Sequence, residues 1–160
     1  AKQLKAETDI VFMMVGDGPV KAELLNIAEE NQLTNIVFIN SIPRKEMPDV
    51  IDACNCYVTP LRKNDLFLGA IPSKIFEPLY FSKPVLLGVD GEAKELFVTE
   101  GKCALHFEPE NASALVDAIK QLYNNAELYQ TLGNNGHQYV STYFDRKKLA
   151  EQFWKKITQL

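Results

Sequence analysis

Short apolar runs alternate with amphipathic segments along the chain, the pattern of a parallel sheet covered by helices on both faces. Five strands are predicted, at residues 9–15, 35–39, 55–59, 84–88 and 102–107. The first runs into Gly16, after which Pro19 opens a helix whose Val20, Leu24, Ile27 and Ala28 recur at helical spacing. Pro43 precedes a second helix over 44–53, with Met47, Val50 and Ile51 facing inward, and Pro60 stops the third strand. A loop over 61–72 leads to a helix over 74–81, and another helix is predicted over 91–99. Beyond the fifth strand the character changes and three helices follow in succession. Leu115, Ala118, Ile119 and Leu122 form one apolar stripe; Leu149, Phe153 and Ile157 form another behind the cap Asp145, which marks the last helix as a packing element. There is no internal repeat and no Gly/Ser-rich linker, so residues 1–160 are read as one α/β domain. Its polar start over residues 2–7, where a strand would ordinarily open such a sheet, reads as a beginning in mid-domain.

Composition narrows the class without changing this picture. With 46% hydrophobic and 24% charged residues the chain is ordinary for a globular protein, and no apolar run approaches the roughly 18 residues that a membrane helix requires. No signal peptide is expected at the charged N-terminus. The net charge of -4 gives no overall attraction to nucleic acid or an anionic membrane, so any phosphate chemistry must be local. Cys54, Cys56 and Cys103 are odd in number and fit neither a disulfide framework nor a CxxC pair, which favours a cytoplasmic location; no metal site is expected.

Several constellations fall at the carboxyl ends of predicted strands, where ligands collect in open α/β sheets. Gly16-Asp17-Gly18-Pro19 lacks the later glycine of a dinucleotide fingerprint and the Gly-Lys-Ser/Thr of a Walker loop. It is either a place where backbone approaches a ligand or a tight strand-to-helix turn. Arg44, after the second strand, is a candidate for lying on a base or touching phosphate, or is simply solvated. The strongest group runs from Gly69 through Pro72, Ser73 and Lys74 to Glu77. A helix opening there offers unpaired N–H groups and a positive dipole end to a phosphate, with the Ser73 hydroxyl and Lys74 cation beside them. Glu77 projects from the same face as Ser73 and is placed to accept from both hydroxyls of a ribose. The alternative is that Ser73 is an N-cap and Glu77 a first-turn acid. His106 and His137 are read as structural or exposed, and neither is placed on a ligand-edge loop. The motifs of serine hydrolases and zinc proteases are absent.

The ordered set Val15-Gly16-Asp17-Gly18-Pro19, the turn at 41–44, Tyr57-Val58-Thr59-Pro60-Leu61, Pro72-Ser73-Lys74-Ile75-Phe76-Glu77, Lys83-Pro84-Val85 and Gly91-Glu92-Ala93-Lys94-Glu95-Leu96 resembles the C-terminal domain of retaining GT-B glycosyltransferases of family four. The stretch from Tyr143 to Leu149 is similar to that family's closing helix, and the branch most resembled builds bacterial surface polysaccharides. The resemblance implies a Rossmann-like parallel sheet lacking its first strand and a nucleotide-sugar donor, UDP- or GDP-linked, handled without a metal. It implies that Glu77 holds the ribose, that the loop from Gly69 to Ser73 with Lys74 receives the diphosphate, that Arg44 faces the base, and that Gly16 and Gly18 let the chain pass close to the donor.

This sequence departs from the pattern at Gly69, where the first glutamate of the family's paired-glutamate motif usually stands, eight positions before Glu77. The family's first strand, its basic loop and its acceptor-binding N-terminal domain would all precede Ala1, so the chain is expected to be inactive alone. Any membrane association would come through that preceding part, and an exposed sheet edge is expected to favour dimerisation. No catalytic residue is assigned. The alternatives to a glycosyltransferase are a GT-B sugar-nucleotide epimerase and a non-catalytic nucleotide-sugar-binding module.

Overall fold

The computed structural model describes residues 1–159, and in it all five predicted strands form, every adjacent pair parallel. They fall into two hydrogen-bonded sheets. One pairs β1 (Phe12–Val15) with β2 (Ile36–Ile39); the other has the order β3 (Tyr57–Pro60), β4 (Val85–Gly88), β5 (Ala104–His106). Each strand is shorter than its apolar run, because residues at the run ends turn away to feed helices and loops. The chain divides into two compact units, Ala1–Val50 and the remainder from Ile51.

In the first unit a 3-10 turn, Lys2–Leu4, buries Leu4 completely. The buried Asn35 side chain donates to the carbonyls of Ala1 (3.0 Å) and Leu4 (3.1 Å), which fastens this turn to the start of β2. Helix α1 (Lys21–Glu30) begins later than Pro19 suggests and buries none of its residues. Val20 is 54% and Ile27 44% exposed while Leu24 and Ala28 are half-buried, so the helical spacing does not translate into a buried face. Two short strands offer too little area to cover a helix of this length. The segment predicted as one helix over 44–53 is a 3-10 turn, Arg44–Glu46, followed by α2 (Met47–Ala53), of which only Ile51 is buried.

The second unit is organised on β4, whose four residues are all buried. Helix α3 (Phe76–Tyr80) is entered through a 3-10 turn, Ser73–Ile75; α4 (Glu92–Lys94) widens into a π-helical turn, Glu95–Glu100. Three further helices follow: α5 (Ala112–Tyr123), α6 (Ala126–Tyr143) and α7 (Arg146–Ile157). Ile75, Leu79, Val85, Leu87, Val89, Ala93, Phe97, Cys103, Ala104 and Val140 form one buried cluster. Phe97 lies at its centre. Its ring meets Phe76 at 5.7 Å, Phe144 at 6.0 Å and Tyr139 at 6.2 Å between centroids, joining α3, the π-turn and α6. Helices α3 and α6 approach so closely that a Cβ on Gly136 would stand 2.8 Å from the Leu79 side chain.

The late helices begin with side-chain caps, of which the sequence reading named only Asp145. Asn111 accepts from the amide of Ala114 at 3.0 Å, Asn125 from that of Leu128 at 2.8 Å, and Asp145 from those of Lys147 and Lys148. The amide of Lys148 contributes most to holding the Asp145 carboxyl below its ordinary range. The stripe on α5 is buried at Ala118, Ile119 and Leu122. The stripe on α7 is not: Leu149, Phe153 and Ile157 are 45%, 67% and 45% exposed, because no described element covers them, and the reading of α7 as a packing element fails within this fold. Among the described residues no helix is long and apolar enough to cross a membrane.

Replacing Phe97 with alanine removes the ring on which three elements converge. We expect a loss of about 3–5 kcal/mol in unfolding free energy, read as a lower urea midpoint in the Phe97→Ala variant. A shift under about 1 kcal/mol, the size of an ordinary surface change, would show that the surrounding rings carry the cluster without it.

Candidate functional site

Parallel strands bring their carboxyl ends to one edge, and in the second unit that edge carries the loops after β3, β4 and β5. The loop over 61–72 leaves β3 with the Leu61 amide on the Gly88 carbonyl at 3.0 Å. The Asn64 side chain accepts from the Leu66 amide at 2.9 Å and opens a 3-10 turn, Asp65–Phe67. The chain then passes Gly69, exposed and with nothing within 4 Å of an added Cβ, and reaches Pro72.

Pro72, not Ser73, holds the cap position of the turn Ser73–Ile75, and no side chain caps it. Ser73 is its first residue. Ile75 is fully buried and Phe76 sits among the aromatic rings, so the turn is anchored on one side. Its other side presents Ser73, Lys74 and, in the first turn of α3, Glu77, all exposed. The charge of Glu77 reaches back to β3, where burial first, then Cys54 and then Glu77 raise the pKa of Tyr57. Gly69, Ser73, Lys74 and Glu77 therefore belong to one continuous feature of this unit.

The remaining candidates lie in the first unit. Gly16, at φ +141, and Gly18 line a cleft of about 170 Å³ with Met14, Val20, Leu24 and Phe38. An added Cβ at either glycine meets open space, whereas both amides are engaged, Gly16 with the Ile39 carbonyl and Gly18 with the Asp17 carboxylate at 2.8 Å. The loop offers shape rather than N–H donors. Lys21, which sequence reading passed over, donates to the Gly16 carbonyl at 2.9 Å and to Asn40 at 2.7 Å and puts a cation on this cleft. Its signal was a lysine in the first turn of the helix behind a glycine loop. Arg44 is exposed at the start of its 3-10 turn and does not line the cleft.

His106 lies in a strand and not in a loop, as the sequence reading has it, but it has a neighbour that reading did not name. It ends β5, on the same edge as Asp90 after β4, with Nε2 2.9 Å from Asp90 Oδ1. The approach is off the line of a well-directed hydrogen bond, and the contact becomes an ion pair only when His106 is protonated. Burial first, and then Lys94, lower the pKa of His106 from its ordinary 6.5, against the opposing pull of Asp90. Lys63 is also tied across this edge, its side chain to Glu108 at 2.7 Å and its amide to Glu110 at 3.1 Å.

This architecture is that of the GT-B glycosyltransferases. Anabaena HepE, solved in complex with UDP and glucose, superposes with a TM-score of 0.81 at 20% identity, over 99% of this chain and 43% of its own. The chain is 29% identical over 133 residues to an uncharacterized glycosyltransferase of Methanocaldococcus jannaschii, covering 83% of this chain and 36% of the relative. It is 23% identical over 148 residues to the O-antigen chain mannosyltransferase C of Escherichia coli, covering 92% and 39%. The chain thus spans between 36% and 43% of the length of these proteins. The family model for glycosyl transferases group 1 matches residues 1–139, and the chain belongs to that family.

A pH prediction follows from His106. Because its folded pKa lies below 6.5, the unfolded chain binds more protons between the two values. Stability from this group is present above pH 6.5 and is lost as pH falls through that window. Urea midpoints measured from pH 7.5 to 5 should fall less steeply in His106→Gln than in the unsubstituted chain; parallel slopes would exclude His106 as a source of acid sensitivity.

Proposed function

We propose that this chain is the donor-binding half of a retaining glycosyltransferase of the family-four type, moving a sugar from a UDP- or GDP-linked donor in the assembly of a bacterial surface polysaccharide. The observation that carries the reading is the exposed, uncapped turn Ser73–Ile75 leading to Glu77 and flanked by the open Gly69. In this reading the Ser73 hydroxyl, the Lys74 ammonium and the first amides of the turn receive the diphosphate. Glu77 accepts from the ribose hydroxyls. Gly16 and Gly18 let the donor pass close to the backbone, and Arg44 faces the base. The HepE complex with UDP and glucose supports a nucleotide-sugar donor for this fold, and the O-antigen relative supports the polysaccharide setting.

Glycosyl transfer needs its departing diphosphate stabilised, and oriented donors do that without reorganising during the reaction. The acceptor is bound by a part of the enzyme other than these 160 residues, in the cytoplasm where nucleotide sugars are made, so the chain alone binds donor without turning it over.

Calorimetric titration with UDP and GDP tests the reading. We expect one of them to bind and Glu77→Ala to weaken it roughly ten- to a hundredfold, the scale of one hydrogen bond to a charged group. Ser73→Ala, which removes a hydroxyl donor to an ionised diphosphate, should weaken binding on the same roughly ten- to hundredfold scale. Equal binding by the unsubstituted chain and Glu77→Ala would remove the ribose role.

A further inference from the structure

The loop that delivers the Ser73 turn is held by its neighbours at two points. At its far end the Leu68 carbonyl, immediately before Gly69, accepts the Glu92 amide at 2.7 Å. Glu92 opens α4, and no side chain caps that helix; the loop's own backbone satisfies its first amide. The contact depends on Gly91. This residue sits at φ +74 and ψ -136, a conformation open essentially to glycine. A Cβ there would stand 2.1 Å from the Leu68 oxygen and 2.7 Å from its carbonyl carbon, roughly an ångström or more inside contact distance. These are backbone atoms, so a side chain at 91 can be relieved only by moving the loop. At its near end the loop is gripped by the turn after β5, where Glu110 takes the Lys63 amide and Glu108 the Lys63 ammonium. Glu110 is itself held at φ +61.

We propose that Gly91, together with Glu108 and Glu110, acts as a positioning device for the nucleotide-facing turn, fixing both ends of the loop over 61–72 so that Gly69 and Ser73 meet the diphosphate in one geometry. The proposal rests on the donor reading of Ser73 and Glu77 and adds to it a second set of residues that never touch the ligand. Gly91 sets the approach by having no side chain. The acidic pair sets it by charge, and because Lys63 and Glu108 are more than half exposed, their tie contributes through loop order rather than through stability.

The test uses the 160-residue chain in UDP and GDP titrations, with amide hydrogen exchange of the ligand-free protein beside them. The unsubstituted chain binds a nucleotide, and Gly91→Ala raises Kd roughly tenfold or more, the scale on which an ångström of misplacement acts. Exchange should quicken over 61–76 and at Glu92 while β4 keeps its protection. The binding losses of Gly91→Ala and Ser73→Ala should fall short of additivity in the double variant, since both act through one turn, whereas independent destabilisation would add. Glu108→Gln with Glu110→Gln, which alters exposed side chains only, should raise Kd roughly severalfold and decides the matter if Gly91→Ala does not fold. Unchanged nucleotide affinity in either variant, or strict additivity with Ser73→Ala, overturns the positioning role while leaving the donor reading intact. Failure of the unsubstituted chain to bind UDP or GDP overturns the donor reading and this inference with it.

Discussion

The second unit depends on the complete burial of β4. A strand with a parallel neighbour on each side and no exposed residue has all its backbone groups committed to the ladder and both faces committed to apolar packing. Register follows from this. Tyr57 stands against Val85 and Val85 against Ala104, and a one-residue slip would carry the neighbours' apolar residues to the wrong face. Once the three strands are in register their carboxyl ends are level, and the loops after them are presented side by side. The Leu61 amide on Gly88 and the Phe107 amide on Leu87 extend the ladder into those loops. Loop placement is therefore a consequence of core formation.

Strand existence was the most legible part of the fold. Several apolar runs are bounded by Gly or Pro, as at Gly16 after the first and Pro84 at the start of the fourth, residues that mark a run's end for covalent reasons. Pro60 and Gly88 are themselves paired as the last residues of β3 and β4. The cap at Asp145 was legible for a similar reason: a carboxylate before a helical pattern bonds the nearest free amides locally. Burial was not legible from spacing. Val20, Leu24, Ile27 and Ala28 recur correctly for a helix, and so do Leu149, Phe153 and Ile157, yet the first stripe is only half-buried, at Leu24 and Ala28, and the second is exposed. Periodicity shows that a face is apolar; it does not supply the partner. The division of five strands into two plus three is equally invisible to a pattern confined to single strands.

The candidate site divides along the same line. Gly69, Ser73, Lys74 and Glu77 were readable together because they are close in sequence and a helix start imposes their geometry. What sequence reading missed is carried by contacts between elements: His106 beside Asp90, Lys63 on Glu108 and Glu110, and Lys21 reaching Asn40 after β2. In each case the partners belong to different elements, and only the sheet edge or the glycine loop brings them together. The glycine loop also proved to be a different device from the helix start. Its amides are spent on Ile39 and Asp17, so it can accommodate a ligand but not bond an anion through those two groups.

That difference bears on how a donor would be held. Exposed groups such as Ser73, Lys74 and Glu77 exchange bonds to water for bonds to a ligand, so each contributes at most about 1.5–3 kcal/mol. Affinity at such a surface comes from several modest contacts made at once, and their sum survives only if ordering them costs little on binding. The anchoring of this turn answers that requirement. Ile75 is fully buried, Phe76 is locked among rings, and Leu79 closes the inner face, so the turn is ordered before any ligand arrives. In the proposed donor reading the core beneath the turn would enter the binding free energy as conformational entropy already lost, and the polar face above it need only be exposed and correctly spaced.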